Sequence, residues 1–265
     1  MSVDAAYAEV IEITRREAKN FAYGIMVLPR EKRRAIAAIY AFAREVDDIA
    51  DGDLPPAQKR GRLETLRAEL DGSERPVMVA LADARDRFGI PRDALSRLVD
   101  GGLQDLEQTR YHTFDDLRGY CEKVAGAVGV ACVAVYDSED VERANTLGVA
   151  LQLINIMRDV DEDQQLGRVY LPQDELARFG VDELAHTPQF VELMRFNAQR
   201  ARAHLQEGLQ LLDSLDRRSA LCVATFAGLY RGQLDRMEAN GFDVLDKSCR
   251  LSTRAKLGVV ARNLL

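Results

Sequence analysis

Two stretches of the sequence carry pairs of acidic residues at the spacing of one helical turn. Asp47 and Asp51 are four positions apart in IYAFAREVDDIADGD. The same spacing recurs between Asp159 and Asp163 in LQLINIMRDVDEDQQLGRVYLP. Residues four apart share one face of an α-helix, so two such helices facing each other would supply carboxylates to the same ions. Oxygen ligands without a His or Cys cluster favour Mg²⁺, whose coordination is usually completed by water and substrate phosphates. A diphosphate is therefore the natural bridging ligand.

The second acidic pair continues a polar stripe on an otherwise apolar helix. Gln152 and Asn155 interrupt the nearly apolar run from Leu147 to Met157, and the stripe extends to Asp159 and Asp163. Buried amides and carboxylates are costly unless a partner satisfies them, which favours a functional use. The alternative is that the two amides bond to another helix and the aspartates lie beyond the buried part.

The first acidic pair shares its helix face with an aromatic and a basic residue. Tyr40, Arg44 and either Asp47 or Asp48 precede Asp51 at steps of three and four. Like charges at this spacing, near the C-terminal end of a helix, are unfavourable and call for a compensating cation. The alternative is a solvated acidic helix end.

Arg44 and Arg158 each adjoin an acidic motif. Arginine can donate a fork of hydrogen bonds to diphosphate oxygens, so both are candidate diphosphate ligands. An ion pair within the protein is the ordinary alternative. The three histidines, His112, His186 and His204, lie beside no recognisable nucleophile signature. The sequence also lacks both glycine-rich motifs that bind nucleotide phosphates, G-x-x-x-x-G-K-[ST] and G-x-G-x-x-G after a strand.

The elements that must position these residues are helices. Apolar residues recur at spacings of three and four nearly throughout, without sustained alternation. Clusters of Gly, Pro, Asn, Asp and Ser predict breaks at Asp51–Pro56, Asp71–Pro76, Gly89–Pro91, His112–Asp116, Tyr136–Asp140, Gly167–Pro172 and Asn240–Lys247. We expect about nine or ten helices in a single domain spanning residues 1–265, because no linker divides the chain. The small residues of GAVGVACV predict close helix packing.

Charge and hydropathy narrow the possible partners and location. The net charge of −7 disfavours nucleic acid as a partner. The longest apolar run, Val124 to Tyr136, is 13 residues, short of the roughly 20 that a bilayer span needs. The N-terminus lacks the basic flank and apolar core of a secretory signal, so we expect a cytoplasmic protein. Cys121, Cys132, Cys222 and Cys249 form no metal-binding pattern and are expected to be reduced.

At this point the sequence resembles the squalene/phytoene synthase family, whose members join two prenyl diphosphates head to head. The matching segments are KNFAYGIMVLP (19–29), AIYAFAREVDDIAD (38–51), YCEKVAGAVG (120–129) and LQLINIMRDVDEDQQLGRVYLP (151–172). A weaker match is LYRGQLDRMEANGFDV (229–244). The resemblance implies an all-α, single-domain isoprenoid synthase fold, a helical bundle around a central cavity.

The family also implies roles for particular residues. It implies Mg²⁺ coordination by Asp47, Asp51, Asn155, Asp159 and Asp163, with Asp48 as an outer neighbour. It implies contacts to diphosphate or the adjoining allylic segment by Lys19, Asn20, Phe21, Tyr40, Arg44, Gln152, Arg158 and Tyr230. Asn20 stands where the family commonly has Ser, and Tyr120 matches a tyrosine suspected of steering carbocation or proton transfer. Ring faces that stabilise a carbocation are expected from Phe21 and Tyr40, with Phe42 and Tyr120 as further candidates.

The flanks EAKNFAYGIMVLP and LGRVYLPQDELARFG look most like bacterial presqualene diphosphate synthases of the hopanoid route. We therefore expect an Mg²⁺-dependent condensation of two farnesyl diphosphates to presqualene diphosphate, which separate squalene-forming enzymes would consume. Phytoene and dehydrosqualene synthases share the same motifs and remain alternatives. An inactive assembly factor of the same fold and a class I terpene cyclase are further alternatives, although all four aspartates are present here. We expect no C-terminal anchor, and at most loose association with the inner membrane face, driven by the apolar product. The sequence has no dinucleotide fingerprint to recruit NADPH for a reductive second step.

Overall fold

The computed structural model describes residues 1–17, 24–245, 249, 251–252, 255 and 258–259. Within these residues the structure is helical and contains no named strand, only an isolated bridge between Arg110 and Val169. The α-helices are α1 Val3–Glu17, α2 Arg30–Asp51, α3 Pro56–Glu69, α4 Pro76–Phe88, α5 Arg92–Asp105, α6 Phe114–Cys121, α7 Ala127–Val135, α8 Val141–Arg158, α9 Val160–Gln165, α10 Gln173–Phe179, α11 Pro188–Gly208 and α12 Arg217–Ala239. A π-helical segment, Glu122–Gly126, joins α6 to α7, and a 3₁₀ segment, Leu209–Ser214, follows α11. The all-α prediction is confirmed.

Local sequence signals explain where the helices begin and end. All seven predicted breaks coincide with a helix end, a helix start or both. Thr113 begins α6 with a capping box, in which its hydroxyl accepts from the backbone N–H of Asp116 and the Asp116 carboxylate accepts from the N–H of Thr113. Gly89 ends α4 in the left-handed region at φ 65°, a conformation that glycine adopts without strain.

Two long helical runs are each interrupted once. The described residues therefore contain twelve α-helical segments, whereas nine or ten helices were predicted. The run from Phe114 to Val135 passes through the π segment. At Asp159 the backbone leaves helical geometry (φ −103°, ψ 18°), which separates α8 from α9. Its N–H still bonds to the carbonyl of Asn155, and its own carbonyl accepts from Asp163. The polar stripe expected on one continuous helix therefore survives the interruption.

Glycines bring α8 against the helical run of α6 and α7. A Cβ atom on Gly148 would lie 2.3 Å from the Ala125 carbonyl oxygen, and one on Gly129 would lie 2.3 Å from the Ala144 carbonyl oxygen. Gly126 would meet the Asn145 side chain at 2.1 Å. No larger residue fits these contacts without displacing the backbone, so the expectation of close helix packing is confirmed.

The core has two apolar clusters. One surrounds the buried side of α2, where Phe42 is fully enclosed, and the other surrounds α8, α11 and α12. The four cysteines are thiols rather than disulfides, and the Cys249 sulfur accepts a hydrogen bond from the Asn240 amide at 3.8 Å. In the part of the chain that the structure describes, none of the helices combines the length and the apolar character that crossing a membrane would require.

Candidate active site

A cavity of about 800 Å³ opens between helices of both apolar clusters. Its walls come from α2, α5, α6, α8, α9 and α12, together with the loop that follows α9. We call it the polar cavity because carboxylates, amides, arginines and tyrosine hydroxyls supply much of its lining. Two of its walls carry the acidic motifs, α2 on one side and α8 with α9 on the other.

The structure brings the predicted site residues together. Eleven of them line the polar cavity: Tyr40, Arg44, Asp47, Asp51, Tyr120, Gln152, Asn155, Arg158, Asp159, Asp163 and Tyr230. Lys19, Asn20 and Phe21 lie outside the described residues. Phe42 is not a cavity wall, because it points into the core and is fully buried. Of the two candidates at adjacent positions, Asp47 faces the cavity, whereas Asp48 pairs with Arg44 at 2.6 Å and does not line it.

The facing carboxylates are electrostatically strained without a cation. Burial, and then the nearby charge of Asp51, raise the pKa of Asp47 to about 7. Asp47 is open to solvent within the cavity, but protein surrounds it on most sides and limits its hydration. Burial and the neighbouring Asp159 likewise raise the pKa of Asp163 to about 7. Close like charges destabilise the ionised state, and a bound divalent cation would reverse this effect.

Arginines pair with the other aspartate of each acidic motif, Asp51 and Asp159. Arg158 forms a two-pronged ion pair with the adjacent Asp159, with one hydrogen bond from Nε at 2.7 Å, and donates to the Gln233 side chain at 3.0 Å. Arg168, in the loop after α9, donates a hydrogen bond to the Asp51 carboxylate on α2 at 2.7 Å. The intramolecular ion pairs considered for Arg44 and Arg158 are therefore present, the first with Asp48 and the second with Asp159.

The donor set of the cavity fits Mg²⁺. The Asn155 Oδ1 atom is buried without a hydrogen-bond partner, although its amide nitrogen donates to Gln152 at 3.3 Å. An orphaned carbonyl oxygen beside paired carboxylates is the hard-ligand environment that Mg²⁺ prefers. Among the described residues, no three His, Cys, Asp or Glu side chains are gathered closely enough to hold an ion by themselves. The protein thus offers separated oxygen ligands that a bridging phosphate would complete.

Sequence reasoning missed three functional candidates in the cavity, namely Asp105, Arg168 and Tyr170. Asp105 is the last residue of α5 and belongs to no acidic pair, so no motif marked it. Arg168 and Tyr170 stand within the matched segment LGRVYLP, but their types and spacing alone predicted no role. The bridge between Arg110 and Val169 holds this loop against the segment before α6.

Asp105 sits at the centre of a tyrosine cluster, defined here as Tyr111, Tyr120 and Tyr170. Tyr120 donates to Asp105 Oδ2 at 2.8 Å, and Tyr170 donates to Oδ1 at 2.9 Å. The ring centroids of Tyr120 and Tyr170 are stacked 5.2 Å apart, and Tyr111 lies behind both at 5.3 and 5.7 Å. Burial raises the pKa of Asp105 to about 6, although Arg168 opposes the rise. The cluster fixes a carboxylate and two hydroxyls in one wall.

A second space adjoins the polar cavity. This apolar chamber has a volume of about 260 Å³. It shares seven lining residues with the polar cavity, namely Asp47, Leu98, Val124, Gln152, Asn155, Phe226 and Tyr230. The run of α6 and α7 lines it with Val124, Val128, Cys132 and Tyr136, and further walls come from α8 and α12. The two spaces together suit a molecule with an anionic head and a hydrocarbon tail.

Sequence comparisons agree with this geometry. The squalene/phytoene synthase family profile matches residues 14–257. The phytoene synthase of Mycobacterium tuberculosis is 42% identical over 276 residues, covering 99% of this chain and 91% of the relative. A 15-cis-phytoene synthase of Synechocystis is 33% identical, covering 97% of this chain and 83% of the relative.

Solved structures give the same fold. A dehydrosqualene synthase in complex with a ligand superposes with a TM-score of 0.92 at 28% identity, covering 99% of this chain and 96% of the other. The squalene synthase HpnC from Alicyclobacillus acidocaldarius superposes with a TM-score of 0.84 at 25% identity, covering 91% and 95%. The expected isoprenoid synthase fold is therefore confirmed.

Proposed function

This chain belongs to the squalene/phytoene synthase family, and we propose that it joins two prenyl diphosphates head to head with Mg²⁺ as its cofactor. One observation carries the proposal. Facing acidic helices and an orphaned Asn155 oxygen line a polar cavity that continues into an apolar chamber. A prenyl diphosphate has the complementary division, a diphosphate head and a hydrocarbon tail.

Asp47, Asp51, Asn155, Asp159 and Asp163 are the residues that would hold Mg²⁺. When bound, Mg²⁺ supplies positive charge that stabilises the departing diphosphate. Arg158 and Arg168 line the same cavity and would donate to the diphosphate oxygens in its low-dielectric interior.

The remaining cavity residues protect the allylic cation after ionisation. Tyr40 and Tyr230 present aromatic groups to the polar cavity, and Phe226 stands where it meets the apolar chamber. Aromatic faces attract positive charge without attacking it as nucleophiles. The apolar chamber orders the tail and keeps water away, so that the alkene of the second substrate can capture the cation.

Two specific products are compatible with this chemistry. The flanking motifs favour presqualene diphosphate from farnesyl diphosphate, as expected from the sequence. The names of the two curated relatives favour the carotenoid alternative, phytoene from geranylgeranyl diphosphate. Both begin with the same ionisation and the same carbon–carbon bond, so the proposal rests on that shared step.

The test incubates purified protein with each of the two diphosphates, with and without Mg²⁺ and NADPH, and identifies the extracted lipids by mass spectrometry. We expect an Mg²⁺-dependent head-to-head product. A product that retains phosphorus supports the presqualene assignment, whereas a neutral polyene absorbing in the near ultraviolet supports the carotenoid assignment. Only monomeric alcohols, or no turnover with either substrate, would overturn the proposed function.

A further inference from the structure

Head-to-head joining through a three-membered ring releases a proton that the site must accept. The bond from C1 to the diphosphate oxygen breaks, and its electron pair leaves with the diphosphate. The alkene of the second substrate then bonds to C1, and the ring closes when a C1–H bond gives up its electron pair. One proton is left over, and no oxidant or reductant is needed. This reasoning rests on the proposed function.

We propose that Asp105 is the terminal acceptor of this proton, which reaches it through the hydroxyl of Tyr120 or Tyr170. In the relay, a tyrosine oxygen takes the proton from C1 while its own proton passes to an Asp105 carboxylate oxygen. The tyrosine ends the step neutral, and the carboxylate ends it protonated. The proton then leaves to solvent after product release.

The hydrogen bonds have the direction that such a relay requires. Both tyrosines donate to Asp105, one to each carboxylate oxygen, at 2.8 and 2.9 Å. The Tyr120 hydroxyl also donates to the Tyr170 hydroxyl at 3.3 Å, so the two tyrosines and Asp105 form one hydrogen-bonded network. Tyr120, Tyr170 and Asp105 all line the polar cavity. A substrate in the cavity thus meets hydroxyl oxygens that are already hydrogen-bonded to the final acceptor.

Burial keeps the two tyrosines protonated and makes Asp105 a better proton acceptor. Tyr120 and Tyr170 are 4% and 7% exposed, and burial raises the pKa of Tyr120 well above 10. A tyrosine in this position stays protonated and acts as a relay rather than as a stored anion. Asp105 is a stronger base than an ordinary carboxylate, because burial raises its pKa to about 6, yet it remains largely ionised at neutral pH.

The charges around Asp105 come from every side of the cavity. Arg168, from the loop after α9, lowers the pKa of Asp105, while Asp51 from α2 raises it. Asp47 from α2 and Asp163 from α9 also interact with Asp105 electrostatically. A pH profile of turnover would mix these titrations, so the test uses isotopes and product ratios.

The main test compares Asp105→Asn with the parent enzyme. The amide keeps the size of the side chain and can still accept a tyrosine hydrogen bond, but it cannot take up the proton. The measured quantity is head-to-head product formed per diphosphate released. We expect this ratio to fall by at least about tenfold, with alcohols from water capture taking the place of the product. With substrate deuterated at C1, the residual product should form with a primary isotope effect larger than that of the parent.

Two further variants separate the relay from a structural role. Asp105→Glu restores a carboxylate and should recover part of the lost ratio. Tyr111→Phe removes only a hydroxyl behind the cavity wall and keeps the ring packed against Tyr120 and Tyr170. This variant should leave the ratio at the parent value. If Asp105→Asn does not fold, the double change of Tyr120 and Tyr170 to Phe, which leaves Asp105 in place, should lower the ratio in the same way.

An unchanged product ratio and an unchanged isotope effect, in Asp105→Asn or in the double variant, would overturn the relay and leave the released diphosphate as the acceptor. Failure of the parent protein to form any head-to-head product is a different result. It would overturn the proposed function before any variant is compared.

Discussion

The polar cavity and the apolar chamber share helix α8 but differ in the kind of residue they present. In the polar cavity, Asp47 and Asp163 have pKa values raised to about 7, and Asn155 has an oxygen without a partner. In the apolar chamber, aliphatic side chains predominate, and the buried Tyr136 hydroxyl lies 3.6 Å from the Cys222 thiol. Gln152 and Asn155 line both spaces.

The difference shows which part of the site depends on a ligand. The polar cavity holds close like charges that are unfavourable in the folded protein, and a bound cation would relieve them. Apart from Asp47, which it shares with the polar cavity, the apolar chamber is lined by side chains that carry no such charge conflict, so its walls do not depend on a ligand in the same way. Changes in the polar cavity should therefore alter turnover with little loss of fold, and changes in the chamber should alter selectivity.

The largest effect is expected from Asp159→Asn. Loss of a carboxylate that would hold Mg²⁺ should lower kcat/KM by at least about 100-fold, equivalent to roughly 3 kcal/mol of transition-state stabilisation. The helical circular dichroism spectrum should be unchanged. The matched control is Asp161→Asn, which removes the same charge from α9 at a position that does not line the polar cavity. Equal activity of the two variants at saturating Mg²⁺ would contradict the metal assignment.

A smaller effect, on selectivity, is expected at the far end of the chamber. Val124, Val128, Cys132 and Tyr136 recur every four residues along the wall, and at 1.5 Å per residue Tyr136 lies about 18 Å beyond Val124. Tyr136→Leu should lengthen the chamber and raise the kcat/KM for geranylgeranyl over farnesyl diphosphate by about tenfold, because each buried methylene contributes about 0.8 kcal/mol.

Tyr136→Phe is the control, because it removes only the hydroxyl and keeps the aromatic ring in the chamber wall. Its preference between the two substrates should match the parent. If Tyr136→Leu also keeps the parent preference while remaining folded, Tyr136 does not limit chain length.

The polar cavity was predictable from sequence because its chemistry lies on regular helices. Asp47 with Asp51, and Asp159 with Asp163, follow helical spacing, and the structure places both pairs on the walls of one cavity. Phe42 shows the limit of the same reasoning. It is two residues from Tyr40, but helical geometry turns it into the core.

The tyrosine cluster was not predictable as a unit because its members meet only through tertiary contacts. Asp105 ends one helix and Tyr120 lies on the next, whereas Tyr170 comes from a loop 65 residues after Asp105. No periodicity connects such positions. The role of Tyr136 in the chamber wall was not predictable for the same reason, because Tyr136 contacts Cys222, which is 86 residues away in the sequence.

A third prediction concerns the helix contact on which both spaces depend. Gly148→Ala would place a Cβ 2.3 Å from the Ala125 carbonyl oxygen, so α8 must move away from the facing helical run. We expect a net loss of about 1–3 kcal/mol in unfolding free energy, measured by denaturant titration. Gly119→Ala on α6 is the control, because a Cβ there meets nothing within 4 Å. It should be neutral or slightly stabilising. Equal stability of the two variants would show that the contact is not tight.

The smallest expected effect is a pH dependence that belongs to the polar cavity alone. The pKa of Asp163 is raised to about 7 in the folded protein, from an ordinary value of 3.8. Between these values the folded state binds more protons than the unfolded state, so the free energy of unfolding falls as pH rises from about 4 through 7. After allowance for solvent screening, the contribution of this carboxyl is about 1–2 kcal/mol.

In EDTA, the parent should thus lose stability between pH 4 and pH 7, and Asp163→Asn should lose less. Mg²⁺ with inorganic diphosphate should stabilise the parent at pH 8 more than at pH 5, because the ionised carboxylates are the ligands. Tyr136→Phe, which changes only the apolar chamber, should keep the slope of the parent. If Asp163→Asn shows that same slope, the carboxyl is not strained in the folded protein, and the contrast between the two spaces does not extend to stability.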